Sequence, residues 1–318
     1  MQLSIVIPVY NAARTIESLV DQLLICLNAL EFEIVLVNDG SQDSSHQVCQ
    51  RISENRSDIV IYVRLARNFG EHNAVMAGLA FSSGDYVIIM DDDFQNPPSE
   101  VTRLLEKARD GNFDAVYTFY PEKKHSRFRN LGSLFNSWMA TIMLNKPKGL
   151  YLSSFKCLNR FLVDEILKYR GAFPYVDGLV LTCTNNIGTI QVQHDPRPEG
   201  ESGYTFRKLV RLWLNMFVNF SAMPLRITFL LGIGLSLVAL ILSISFVSER
   251  ILSPEIPPGW TSLAILILLF SGIQLCVLGL IGEYVGRTLM NINSLPQYVV
   301  RSSSPGKAAM GTNRVREE

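Results

Sequence analysis

Over its first 120 residues the chain alternates short β-branched runs with amphipathic stretches. The runs are "LSIVIPV", "FEIVLV", "DIVIYVRL", "DYVIIM" and "FDAVYTF". Between them lie "ARTIESLVDQLLICLNAL", "QDSSHQVCQRIS", "EHNAVMAGLAFS" and "PSEVTRLLEKARDG", the last with Gly111 placed as a C-cap. Strands alternating with helices of this length specify βα units and a mostly parallel sheet, an α/β fold. Ligands of such sheets sit beyond the carboxyl ends of the strands.

The first four strand ends are polar: "PVYN" (Pro8, Val9, Tyr10, Asn11), "NDGS" (Asn38 to Ser41), "ARNFGEH" (Ala66 to His72) and "DDDFQN" (Asp91 to Asn96). Each has an ordinary structural reading. "NDGS" makes a turn and a helix cap. Arg67 makes a solvated charge, Asn96 before Pro97 and Pro98 a cap, and His72 a helix start. Four polar ends on consecutive parallel strands point instead to one shared cleft. Oxygen-rich sites suit Mg2+ or Mn2+, held by one or two carboxylates plus substrate phosphates. Along an extended segment alternate residues share a face. That spacing groups Asp91, Asp93 and Gln95 as metal ligands and turns Asp92 away. Adjacent carboxylates repel, so the cluster needs such a partner.

Composition limits the alternatives. Formal net charge is zero, which argues against a nucleic-acid partner. The cysteines (Cys26, Cys49, Cys157, Cys183, Cys276) show no zinc spacing and read as reduced thiols. No GxGxxG follows the first strand, which disfavours a nicotinamide-binding fold. The N-terminus has no basic segment of the signal-peptide kind.

Hydrophobic residues make up 48% of the chain, concentrated in two uncharged runs, Ile227–Val247 and Trp260–Gly282. Each exceeds the roughly 20 residues that cross a bilayer as a helix. The alternative, two buried core helices, fits their length less well. The gap between them is polar and holds three prolines and only Arg250 as a basic residue. Arg207, Lys208, Arg211, Arg226, Arg287 and Arg301 flank the outer ends, so the positive-inside rule places both termini in the cytoplasm. The predicted organisation is a cytosolic domain carrying the cleft over 1–204, an amphipathic juxtamembrane helix over 205–223, two spans within 224–286 (about 227–248 and 260–282), and a partly disordered cytosolic tail over 287–318.

The segments "IVIPVYN", "VNDGSQD", "RNFGEHNAVMAG", "DDDFQNPPSE", "SRFRNLGS", "RPEGESGY" and "IGEYVGR" occur in the order seen in family 2 glycosyltransferases. More narrowly, the chain resembles bacterial polyprenyl-phosphate glycosyltransferases related to dolichyl-phosphate mannose synthase. The resemblance implies a cytosolic GT-A (nucleotide-diphospho-sugar transferase) domain followed by two membrane helices, in the inner membrane, as a homo-oligomer. It implies inverting transfer from a nucleotide sugar, a UDP-sugar by the bacterial branch, to a polyprenyl phosphate such as undecaprenyl phosphate. Pro8, Val9, Tyr10, Asn11, Asp39 and Arg67 match the nucleotide side. Asp91, Asp93 and Gln95 match the metal and diphosphate site. Arg127 and Arg129 match a basic acceptor-side segment, and Arg197 and Ser202 a segment near the donor phosphates and acceptor. Lys156 joins these basic residues as a candidate holder of the acceptor phosphate, or as part of a basic face towards anionic lipid.

The chain departs from the family at Ala12, where members often carry Glu, and at Gly203, where they often carry Lys. They often read "DFRL" where this chain reads "SFKC", with Ser154 and Lys156. Two other readings stand beside the transferase. A membrane scaffold that binds a sugar nucleotide or a partner subunit has room in these departures. A processive polysaccharide synthase is disfavoured by the missing Q-x-x-R-W segment.

Overall fold

The computed structural model describes residues 2–120, 147, 149–193, 259–292 and 296–304, with a few single positions between 230 and 244. The chain divides into two compact units: residues 1–203 with 294–318, and residues 204–293.

The first unit is built on an eight-stranded sheet. Its elements run β1 (Leu3–Val9), α1 (Ile16–Cys26), β2 (Phe32–Asn38), α2 (Ser45–Asn55), β3 (Val60–Leu65), α3 (Glu71–Phe81), β4 (Tyr86–Ile89), α4 (Glu100–Asp110) and β5 (Ala115–Phe119). They continue with β6 (Lys156–Asn159), α5 (Arg160–Ile166), α6 (Val176–Cys183) and β7 (Ile187–Gln191). The strands lie in the order β7-β5-β6-β4-β1-β2-β3-β8, where β8 is Val300–Ser303. β1, β2, β3 and β4 are mutually parallel, as are β5 and β7; β6 runs antiparallel between β4 and β5. The mostly parallel α/β architecture expected from the alternation is therefore present.

β1 is central because both its faces are apolar. Leu3, Ile5, Ile7 and Val9 join Ile16, Leu19 and Leu23 of α1 in one core. Val6 faces the other way, towards α3, where a β-carbon on Gly78 would meet Val6 Cγ1 at 2.3 Å. Burial on both faces is what a parallel strand covered by helices on each side requires. Chain order also reverses here, because β2 flanks β1 on one side and β4 on the other. Such a switch opens a crevice at the carboxyl ends of the two strands.

β6 and β8 lie outside the alternating βα pattern, and β8 falls in the segment expected to be a partly disordered tail. It pairs antiparallel with β3 and closes that edge of the sheet.

In the second unit, α7 (Trp260–Ile292) is one helix of 33 residues. It continues past the expected end of the second run at Gly282. Among the described residues, no helix is long and apolar enough to count as a membrane span. The first uncharged run and the juxtamembrane segment fall largely outside the described residues.

Adding a methyl at Gly78 should overpack the α3–β1 contact. Gly78→Ala is expected to cost about 1–3 kcal/mol, read as a lowered denaturant midpoint of the full chain.

Candidate active site

The crevice between β1 and β4 gathers the polar strand ends. Beyond β1, Asn11 adopts a positive φ of 55°. Its backbone N–H donates to Ser41 Oγ at 3.1 Å, and its side-chain oxygen accepts from the Gln42 N–H at 2.9 Å. The ends of β1 and β2 are thereby stitched together. Tyr10 is exposed, whereas Ala12 is buried and its N–H donates to Ser45 Oγ at 2.9 Å.

Beyond β2, Asp39 is buried and turned towards the β3–α3 loop. It accepts the Phe69 N–H at 2.7 Å on one oxygen and the Gly70 N–H at 2.9 Å on the other. Burial raises its pKa, against these N–H groups and the Arg67 charge. Gly40 follows with a φ of 67°, and a β-carbon there would lie 2.5 Å from the Asn68 backbone nitrogen. Only glycine lets the two loops approach so closely. Arg67 is exposed, with its guanidinium 4.3 Å from the centre of the Phe69 ring.

Beyond β4, the chain does not stay extended. Phe94 has a φ of 60°, and Asp93 Oδ1 accepts the Gln95 N–H at 3.1 Å, closing a tight local turn. The period-two argument that put Gln95 on the face of Asp91 and Asp93 therefore loses its premise. The three aspartates have different surroundings. Asp91 Oδ2 accepts from Ser154 Oγ at 2.6 Å. Asp92 Oδ2 accepts the Tyr10 N–H at 3.3 Å, which bridges the ends of β4 and β1. Desolvation, with Asp91 and Asp93 adding repulsion, pushes Asp92 up to about 7.

Asn96 does not cap the following helix. Its side-chain oxygen accepts from the Tyr120 hydroxyl at 2.7 Å, and Ser99 is the residue at the N-cap of α4. This bond ties the loop after β4 to the end of β5.

Lys156 is buried on β6 and ion-paired with Asp177 of α6. Asp177 Oδ1 also accepts from the Tyr117 hydroxyl at 2.8 Å, and the lysine nitrogen lies 5.2 Å from the centre of that ring. This lysine therefore lies inside the protein wall rather than on an open acceptor surface. Nearby, His72 packs edge-on against Tyr175 with ring centres 5.0 Å apart. Burial lowers its pKa to about 4, so it is neutral at pH 7. Glu71, at the start of α3, is raised by desolvation and by the charge of Asp91, with Lys156 opposing.

Of the expected site residues, the structure brings together Pro8, Val9, Tyr10, Asn11, Asp39, Arg67, Asp91, Asp93 and Gln95 on neighbouring strand ends, with Lys156 behind them. Arg127, Arg129, Arg197 and Ser202 lie outside the described residues. Sequence reasoning missed Asp177 and Tyr117. The one signal for Asp177 is an acidic residue in the otherwise apolar "YVDGLVLTC".

Among the described residues, no three His, Cys, Asp or Glu side chains form a ready-made metal cluster. A pair of carboxylates beside a phosphate-bearing substrate suits Mg2+ or Mn2+ nonetheless, because such ions often retain water and take only one or two protein carboxylates. The donor set of Asp91 and Asp93 fits that group.

Comparison with known proteins places this geometry in context. A family model described as glycosyl transferase family 2 matches residues 4–167. An undecaprenyl-phosphate 4-deoxy-4-formamido-L-arabinose transferase from Proteus mirabilis is 30% identical over 304 residues, covering 94% of this chain and 93% of that one. The protein of that name from Yersinia pestis is 32% identical over 305 residues, again covering 94% and 93%. Among solved structures, glucosyl-3-phosphoglycerate synthase from Mycobacterium tuberculosis in complex with UDP aligns with a TM-score of 0.48 and 18% identity, over 68% of this chain and 78% of that one.

Removing one member of the buried ion pair should be costly. Lys156→Met is expected to lose about 3–5 kcal/mol of stability by leaving Asp177 without its cation. Tyr117→Phe should lose about 1 kcal/mol. Denaturant unfolding of the two variants checks the order.

Proposed function

The chain belongs to glycosyl transferase family 2, and from that premise we propose that it moves a sugar, with inversion, from a nucleoside diphosphate onto a polyprenyl phosphate. The observation that carries the acceptor class is similarity along 94% of the chain to relatives named as undecaprenyl-phosphate sugar transferases. The family resemblance supports a UDP-sugar as donor and undecaprenyl phosphate as acceptor.

In this reading the nucleotide lies along Pro8, Val9, Tyr10, Asn11, Asp39 and Arg67, and its diphosphate reaches the end of β4. Asp91 and Asp93, with Gln95 and Ser202 beside the diphosphate, would hold a Mg2+ or Mn2+ ion. When bound, that ion supplies positive charge against the departing diphosphate. Ser154 fixes Asp91 by donating to Oδ2. Arg127, Arg129 and Arg197 hold the acceptor phosphate. Lys156, paired with Asp177, contributes from behind the cleft wall. The acceptor oxygen attacks the anomeric carbon from the face opposite the diphosphate; the new C–O bond forms as the sugar–diphosphate bond breaks. A phosphate monoester has its second pKa near about 6 and is largely ionised at pH 7. No strong general base is then needed, which agrees with a serine at position 154.

A membrane location follows from the acceptor, whose polyprenyl tail stays in the bilayer. The lengths and uncharged composition of the Ile227–Val247 and Trp260–Gly282 runs support two spans. The lysine and arginine bias supports cytosolic termini and an inner-membrane setting. Assembly as a homo-oligomer belongs to the same reading.

The test is a screen of nucleotide sugars against undecaprenyl phosphate with purified full-length protein. One UDP-sugar should give a lipid-soluble product; no product with any donor contradicts the proposal. Asp91→Asn and Asp93→Asn should each lower turnover at least about 100-fold with the fold intact, as expected when charge stabilisation of a leaving group is lost. Chelation of divalent cations should do the same to the unaltered enzyme. Near-normal activity with the cation chelated removes the metal assignment.

A further inference from the structure

We propose that Tyr62 is a positioning residue for the nucleotide-side loop after β2, and that Ser304, the residue following β8, holds its backbone in place. The inference rests on the nucleotide reading above and names a part of the chain outside the strand ends.

Tyr62 lies in the middle of β3 and is buried. Its hydroxyl accepts from Asn38 Nδ2 at 3.2 Å and lies 2.9 Å from His46 Nδ1. Arg64 Nη1 lies 3.0 Å from the other ring nitrogen, His46 Nε2. An arginine only donates, so Nε2 must accept, and the ring proton therefore sits on Nδ1 and points at Tyr62. The direction of each bond is thereby set. Arg64 donates to His46, His46 donates to Tyr62, and Asn38 also donates to Tyr62.

The direction of the Asn38 bond matters to the loop. With Nδ2 given to Tyr62, Asn38 Oδ1 is turned to accept the Ser41 N–H, at 2.8 Å. Ser41 Oγ in turn accepts the Asn11 N–H. The turn so closed contains Asp39 and Gly40, the residues that join the β2 end to the β3–α3 loop. Tyr62 touches none of the proposed substrate positions, yet its hydroxyl fixes the amide that closes this turn.

The backbone of Tyr62 is fixed by Ser304, the residue that follows β8. Its N–H donates to Ser304 Oγ at 2.7 Å, and its carbonyl accepts the Ser304 N–H at 2.8 Å. One residue from the far end of the chain thus holds both polar backbone groups of Tyr62, 242 positions away in sequence. The Ala66 N–H donates to the Val299 carbonyl at 2.8 Å, extending the clamp to the end of β3. An element that only covered a sheet edge would not need to engage this residue by side chain as well as backbone.

Full-length Tyr62→Phe and Ser304→Ala variants test the proposal. The readouts are UDP affinity by calorimetry, separate KM values for the nucleotide sugar and for undecaprenyl phosphate, and the thermal midpoint. Loss of one buried hydrogen bond predicts a roughly 5–10-fold weaker UDP affinity and nucleotide-sugar KM for Tyr62→Phe. Ser304→Ala should shift both in the same direction, by about 2–5-fold. The KM for the lipid phosphate should stay unchanged in both. A fall in thermal midpoint with UDP affinity unchanged overturns the positioning role and leaves Tyr62 a packing residue. Equal loss for both substrates overturns it as well. An unaltered protein that binds no nucleotide overturns the nucleotide reading itself, and this proposal with it.

Discussion

Carboxylates at the mouth of a parallel sheet must each find a donor, a cation or a proton, and the site follows from how this chain meets that demand. Asp91 takes the Ser154 hydroxyl, Asp92 the Tyr10 N–H, and Asp93 the Gln95 N–H. Each bond runs to a different part of the wall: the segment leading into β6, the end of β1, and the loop itself. The cluster therefore joins three segments as well as crowding charge. The switch between β1 and β4 brings those segments together, and the two-sided burial of β1 places that strand at the switch.

The same logic governs the buried polar groups around the cleft. Asp39 has two backbone donors, and Asp177 has a lysine and a tyrosine hydroxyl. A buried acid satisfied in this way fixes the elements it touches, because releasing either partner leaves a desolvated charge. The residues that shape the cleft are thus as much wall as ligand. Lys156 shows the difference: its charge is spent on Asp177 inside the wall.

Much of the first unit was legible in the sequence. β-branched runs and amphipathic stretches give β1 to β5 and α1 to α4 because each element is regular and its apolar face is periodic. The polar strand ends were legible for the same reason: once the strands are placed, their carboxyl ends are placed. The turn after β4 was not. Period-two reasoning assumes an extended chain, and the left-handed Phe94 breaks it at Asp93–Gln95. The long-range partners were hidden as well. Nothing local in "YVDGLVLTC" pairs Asp177 with Lys156, and nothing in "RSSSPGK" shows that Val300–Ser303 will close the β3 edge. β8 is four residues long, and its pairing depends on an edge that only the folded sheet presents.

In the proposed reaction the acceptor matters most, because an already ionised phosphate would let a cleft with Ser154 work without a strong base. The direct measurement compares undecaprenyl phosphate with undecaprenol as acceptors for the purified full-length protein, using a radiolabelled donor sugar. Label should enter the lipid fraction with the phosphate and stay at background with the alcohol. Equal labelling of both would contradict the account.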